Sequence, residues 1–187
     1  KYITIPDMID GKTVSSIGDF AFAGQTRLRE IALPSGLKHI GLSAFSGCSN
    51  LVNIYIPEGV TEIEEKAFAD NVRLSAVGFL GNSHLETIGY FAFQNCGSLR
   101  SFELPASVVS VNGSAFFGAT SLTKITVQSG NKYYSSKDGV LFNYSVSTLV
   151  VFPASKGTEY TLPENADIIG DYALAFSKLK TIDFANV

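Results

Sequence analysis

Few residues of this chain are of types that do chemistry, and their spacing keeps them apart. His39 and His84 stand in turn positions of different units, each without a cysteine or second histidine beside it. Both therefore read as surface histidines rather than metal ligands. Cys48 and Cys96 each follow a phenylalanine by three residues, in two units separated by a third. One strand spacing per coil puts them about 9–10 Å apart, beyond the ~7 Å that a disulfide spans. They are expected to be free, buried thiols packing as small apolar residues. Glu58, Glu62, Glu64, Glu65 and Asp70 make one unit acidic, offset only by Lys66. That reads as a solvated face, with a weak patch for a cation or basic partner as the alternative. Asp138-Gly139 lacks the alternate acids of a calcium loop and reads as a turn. The chain has no Gly-rich phosphate loop, no G-x-S-x-G and no H-E-x-x-H. No catalytic residue, metal or cofactor is expected. Two glycosylation sequons, Asn112-Gly113-Ser114 and Asn143-Tyr144-Ser145, matter only in a eukaryotic secretory route.

What positions these residues is a repeat. Phe22, Phe45, Phe68, Phe93 and Phe116 each follow an alanine, at steps of 23, 23, 25 and 23 residues. Leu28, Leu51, Leu74, Leu99, Leu122 and Leu179 keep the same register, as do Ile31, Ile54, Val77, Phe102, Ile125 and Ile182. A fixed period in this range marks a solenoid. Each unit reads V-x-x-I-G-x-x-A-F-x-G-C-x-x-L-x-x-I-x-I-P. The I-x-I pair alternates as a short strand with one buried face, and proline ends it. The segment around Ala-Phe has room for about one or two helical turns. Gly24, Gly47, Asp70, Asn95 and Gly118 follow, where a left-handed backbone would close a helix. The expected fold is an α+β repeat solenoid: leucine-rich-repeat-like coils of about 23 residues, a short strand ladder, short helical turns and one inserted β-hairpin. No coil buries its apolar face alone, so the Leu, Ile and Phe positions are core.

The template L-x-x-I-x-I-P…V-x-x-I-G-x-x-A-F-x-G-C resembles the BspA-like leucine-rich repeats of surface proteins, over nearly the full chain. The resemblance implies a curved right-handed solenoid, secretion or surface display (an extracellular or cell-surface location), and adhesion or binding of a host or neighbouring-cell protein.

The 187 residues, 45% hydrophobic and 17% charged, suffice for one domain with a continuous core. The net charge is −3 with no basic stripe, which makes nucleic acid a poor partner. No apolar run approaches the length of a membrane span. Both ends read as strands, Tyr2–Pro6 and Thr181–Phe184, so the chain is expected to be cropped from a longer protein. Within the single domain 1–187, the regular array is expected over 1–128, a β-hairpin insertion over about 131–153, and the resumed array over 160–187. The unit from Ile169 puts Leu174 in the phenylalanine position and should be irregular.

An enzyme on such a ladder would need acids or bases on neighbouring coils. The outward rows read Thr4, Ala32, Tyr55, Gly78, Glu103, Thr126, Thr161, Asp183 and Tyr2, Glu30, Asn53, Ala76, Ser101, Lys124, Glu159, Thr181. No carboxylates stack in adjacent coils, and Glu103 with Lys124 reads as a cross-coil ion pair. The expected function is a non-catalytic binding module for a protein ligand; a glycan-binding module and a structural spacer are the alternatives. The candidate contact residues are Glu30, Asn53, Tyr55, Ser101, Glu103 and Lys124 on the ladder, with Tyr133, Tyr134 and Tyr144 of the insertion.

Overall fold

The computed structural model describes residues 1–184. The chain winds as a β-solenoid of about seven turns. Each turn contributes one rung to a long ladder and one to a short ladder. The long-ladder strands are Tyr2–Thr4, Glu30–Ala32, Asn53–Ile56, Ala76–Phe79, Ser101–Leu104 and Lys124–Val127, then Glu159–Leu162 and Thr181–Phe184. They pair in parallel with Tyr2 against Glu30, Tyr55 against Gly78, Glu103 against Thr126 and Glu159 against Thr181. Tyr2 and Thr4, Glu30 and Ala32, and the later residue pairs therefore share rungs in the two outward rows that alternation predicts. The short ladder is a five-stranded parallel sheet of Ser16–Ile17, His39–Ile40, Glu62–Ile63, Thr87–Ile88 and Ser110–Val111.

The expected helical turns do not form: among the described residues there is no helix, so the fold is a β-solenoid and not α+β. The backbone shows why. Through the Ala-Phe segment, every second amide leaves its own coil. Ser43, Phe45 and Gly47 donate to Glu65, Ala67 and Ala69 carbonyls of the next turn, while Ala44 and Ser46 donate three residues back. An α-helix needs each N–H to return to residue i−4 of its own segment. Alternation takes half of them for stacking. It is set by two left-handed residues in each of the first four repeats and one in the fifth. One is the expected set, Gly24, Gly47, Asp70, Asn95 and Gly118, with φ between 55° and 75°. The other is Phe20, Ser43, Lys66 and Phe91, at φ 51–56°, and nothing in their residue types announces it.

The core fills the space between the ladders. Phe45, Phe68 and Phe93 are fully buried, and the rings from Phe22 to Phe93 stack in parallel with centroids 5.1–5.5 Å apart. The cysteine position lies beside this stack. Cys48 Sγ donates to Phe22 O at 3.1 Å and Cys96 Sγ to Phe68 O at 3.2 Å. Asn71, in the same position, donates Nδ2 to Phe45 O at 2.9 Å. In these three copies the position holds a small donor aimed at the phenylalanine carbonyl of the preceding coil, whereas Ala119 fills it in the fifth. Both thiols are free and buried, and burial raises the Cys48 pKa from 9.0 to about 11 and that of Cys96 further.

The repeat register runs one position past residue 128. Asn131 stands 23 residues after Val108, where the template has its first apolar residue. It is buried, donates Nδ2 to Pro105 O and Val108 O, and accepts the Tyr133 and Tyr134 amides on Oδ1. The polar replacement turns the chain out of the array. Three antiparallel strands follow, Tyr134–Lys137, Val140–Asn143 and Thr148–Val151. The first two are joined by Asp138 and Gly139, both left-handed, as a two-residue hairpin turn requires. The third strand rejoins the solenoid by pairing in parallel with Ile168–Ile169. Val140, Phe142, Leu149, Phe152, Leu162, Ala166 and Ala173 form a second core there. In the irregular last unit Tyr172 and Phe176 take the two left-handed positions, and Phe176 is exposed.

Candidate functional site

Three of the ladder residues come together. Glu30, Asn53 and Tyr55 line a groove of about 350 Å³ with Tyr2, Ala32 and Leu80. Their rungs are held by the parallel pairing, and alternation sends their side chains outward. Tyr2 and Tyr55 form aromatic walls, 62% and 55% exposed. The next rung explains the pose of Tyr55: a Cβ on Gly78 would lie 2.7 Å from Tyr55 Cδ1, so the ring rests against the space that a side chain would fill. Leu80 closes one end and is exposed. Its signal was the replacement of the proline that ends other strands.

Ser101, Glu103 and Lys124 continue the same outward rows and are exposed, but they lie outside this groove. The expected ion pair between Glu103 and Lys124 is absent among the described residues. Glu103 Oε2 instead accepts Gln128 Nε2 at 3.2 Å, because Gln128 reaches back along the ladder to it. On the insertion, Tyr133 and Tyr144 are exposed. Tyr134 is half-buried and its hydroxyl accepts the Val111 N–H at 2.8 Å. Burial raises its pKa. That of Tyr160 rises to about 12, by burial and then by repulsion from Asp138.

The short ladder gives His39 company that its sequence neighbours do not. Glu62 sits opposite it in the pairing and Glu64 lies two residues on, so one imidazole nitrogen and two carboxylates fall within 4.8 Å of one another. The donor types would suit a borderline divalent ion. The arrangement is also that of a surface ion pair, His39 Nε2 to Glu64 Oε1 at 3.3 Å, at a third exposed on each side. Along the long-ladder rows no carboxylate faces another on an adjacent rung among the described residues. No helix there is long and apolar enough to cross a membrane.

Several solved structures share this architecture, three of them as follows. The pneumococcal vaccine antigen PcpA superposes with a TM-score of 0.87 at 30% identity, over 98% of this chain and 44% of that one. A leucine-rich repeat protein from Bacteroides ovatus gives 0.71 at 29% identity, over 98% and 45%. A leucine-rich cell surface protein from Faecalibacterium prausnitzii gives 0.81 at 24% identity, over 98% and 54%, a likeness of fold alone. The chain thus spans about half the length of these structures. A search of the curated proteins found no match. The profile of the BspA type leucine-rich repeat region matches residues 1–123 and 81–187, in six copies. The chain belongs to the BspA type leucine-rich repeat family.

Proposed function

We propose that this chain is a non-catalytic binding module displayed at a cell surface, and that its long-ladder face takes a protein ligand. The groove walled by Tyr2 and Tyr55, with Glu30 and Asn53 between them, carries the reading. Tyrosine offers a large rigid contact area with a polar tip, the residue chemistry that dominates protein interfaces. The parallel ladder holds these side chains without the ordering cost of a loop. The 30% identical neighbour is a pneumococcal vaccine antigen, which supports surface display. Adhesion to a host or neighbouring cell is the role such a face would serve, and Ser101, Glu103 and Lys124 would extend the contact along the rungs.

The test is a panel of extracellular-matrix and serum proteins run on a biosensor against the parent chain and Tyr55→Ala. At least one protein should bind the parent and lose tenfold or more in affinity to the variant. Binding that Tyr55→Ala leaves unchanged would remove this groove from the contact.

A further inference from the structure

We propose that the break in the short ladder is a saccharide-binding groove, distinct from the tyrosine-walled face of the long ladder. Ser110–Val111 pairs with Thr87–Ile88 on one side only, and the five-stranded sheet ends there. The next strands of the same surface, Thr148–Val151 and Ile168–Ile169, pair with each other instead. The gap holds a groove of about 310 Å³. Its two rims meet at one end, where a Cβ on Gly113 would collide with Asp171 O.

Tyr90 and Tyr172 line this groove and are 57% and 54% exposed. Tyr172 is fixed before any ligand arrives. Its ring meets Phe91 and Phe117 edge to face, with centroids 6.2 and 6.0 Å away, and Phe176 packs on Phe117 in the same way at 4.7 Å. A rigid, solvent-facing aromatic plane suits the apolar C–H face of a sugar. Ser110, Thr148, Asn112 and Asp171 supply hydroxyl, amide and carboxylate groups on the walls. Asn112 Oδ1 accepts both N–H and O–H of Ser114, which orients its amide.

The state of the strand edge argues against a peptide. An added β-strand would need both a donor and an acceptor from the exposed edge. The Val111 N–H already donates to Tyr134 Oη at 2.8 Å. With that donor taken, a strand cannot pair there in full, whereas a sugar can bond the hydroxyl, amide and carboxylate groups of the walls. A neighbouring basin of about 570 Å³ shares Tyr90, Ser110 and Asn112. A second sugar unit could continue past Tyr90 into it.

Saturation-transfer difference NMR on the chain tests this, with glucose, galactose, N-acetylglucosamine and their β-linked disaccharides as probes. At least one probe should receive saturation at millimolar concentration, strongest on its ring C–H protons, and its disaccharide should bind at least threefold tighter. Tyr90→Ala should abolish the signal. Tyr172→Ala should lose it at an unchanged melting temperature, and Tyr172→Phe should keep it, since the ring and its aromatic neighbours remain. Tyr55→Ala should leave it unchanged, which separates this groove from the protein-binding face. Absence of transfer for every probe, or transfer that persists in Tyr90→Ala, would overturn the proposal.

Discussion

Five phenylalanines, Phe22, Phe45, Phe68, Phe93 and Phe116, stack with interplanar angles of 2–9°. Among the described residues no such stack continues beyond residue 128, where Phe152 meets Tyr160 edge to face at 68°; edge contacts also flank the stack inside the array, as with Phe79 on Phe102 at 81°. The difference follows from how each region is built. In the regular turns one residue type repeats at one position, and translation by a coil brings like against like, ring over ring. The insertion has no such translation, so its second core fills space with unlike residues from antiparallel strands. Repetition thus selects the parallel arrangement, since translation by one coil keeps like rings in one orientation, at centroid separations of 5.1–5.5 Å that lie within the usual range of aromatic contact.

The largest effect should come from breaking the stack at its centre. Phe45 is fully buried between Phe22 and Phe68. Phe45→Ala should cost about 3–5 kcal/mol, as truncation of a buried aromatic does, read from urea unfolding. Phe22 has a stacked neighbour on one side and is only partly buried, so Phe22→Ala should cost less than half as much. Equal losses would show that stacking adds nothing to burial. Next comes the junction. Asn131→Val restores the template residue but strands the Tyr133 and Tyr134 amides and takes a donor from the Val108 carbonyl, while Pro105 O keeps the Val108 N–H. At about 1–3 kcal/mol for a buried group left unpaired, it should destabilise by about 2–3 kcal/mol. If it stabilises instead, the insertion is held by its core and not by this junction.

The two regions also separate by alkaline titration. A thiol whose pKa is raised on folding stays protonated in the native state after the unfolded state has lost its proton. Stability from Cys48 is therefore intact below pH 9.0 and falls as pH climbs through about 11. Cys96 acts in the same direction. The half-buried phenols beyond residue 128, Tyr134 and Tyr160, start from an ordinary value of 10.0, so their loss begins about a unit higher. Melting temperature against pH should fall from about pH 9 in the parent. In a Cys48→Ala, Cys96→Ala double variant the fall should start near pH 10. An unchanged onset would mean that the thiols do not set it.

Much of this was legible in the residues. The period, the rungs and the outward rows followed from Phe, Leu and Ile spacing, because each of these positions is bound to its neighbour by burial. The lone thiols followed from spacing alone. The turns did not. A short apolar segment ending in glycine looks the same whether its amides close a helix or alternate between coils, and the second left-handed position accepts Phe, Ser and Lys alike. Asn131 was visible as the next member of the Val108 series, yet its four hydrogen bonds depend on carbonyls that only folding brings near. The groove residues split on the same line. Glu30, Asn53 and Tyr55 were readable from alternation, whereas Tyr90 and Tyr172 flank a gap made by two strands failing to pair.

The smallest effect on stability, and the sharpest contrast with Phe45, belongs to Tyr55. Both residues are aromatic and both belong to the second full turn, but Phe45 has no exposed surface and Tyr55 has more than half of its own. Tyr55→Ala should change stability by no more than about 0.5 kcal/mol, the range of a surface substitution. Gly78→Ala sharpens the comparison. Its backbone is not left-handed, so alanine is allowed there, and replacing a strand glycine removes unfolded-chain entropy. The obstacle is the Tyr55 ring, 2.7 Å from the new methyl, and an exposed ring can swing aside. The variant should melt at or slightly above the parent temperature while its tyrosine is pushed out of the pose that walls the groove. If Gly78→Ala weakens a bound protein as Tyr55→Ala does, at undiminished stability, then the ring's orientation and not merely its presence makes the contact. A marked drop in melting temperature would instead show that the ring is locked in place by the fold, with Tyr55 belonging to the scaffold.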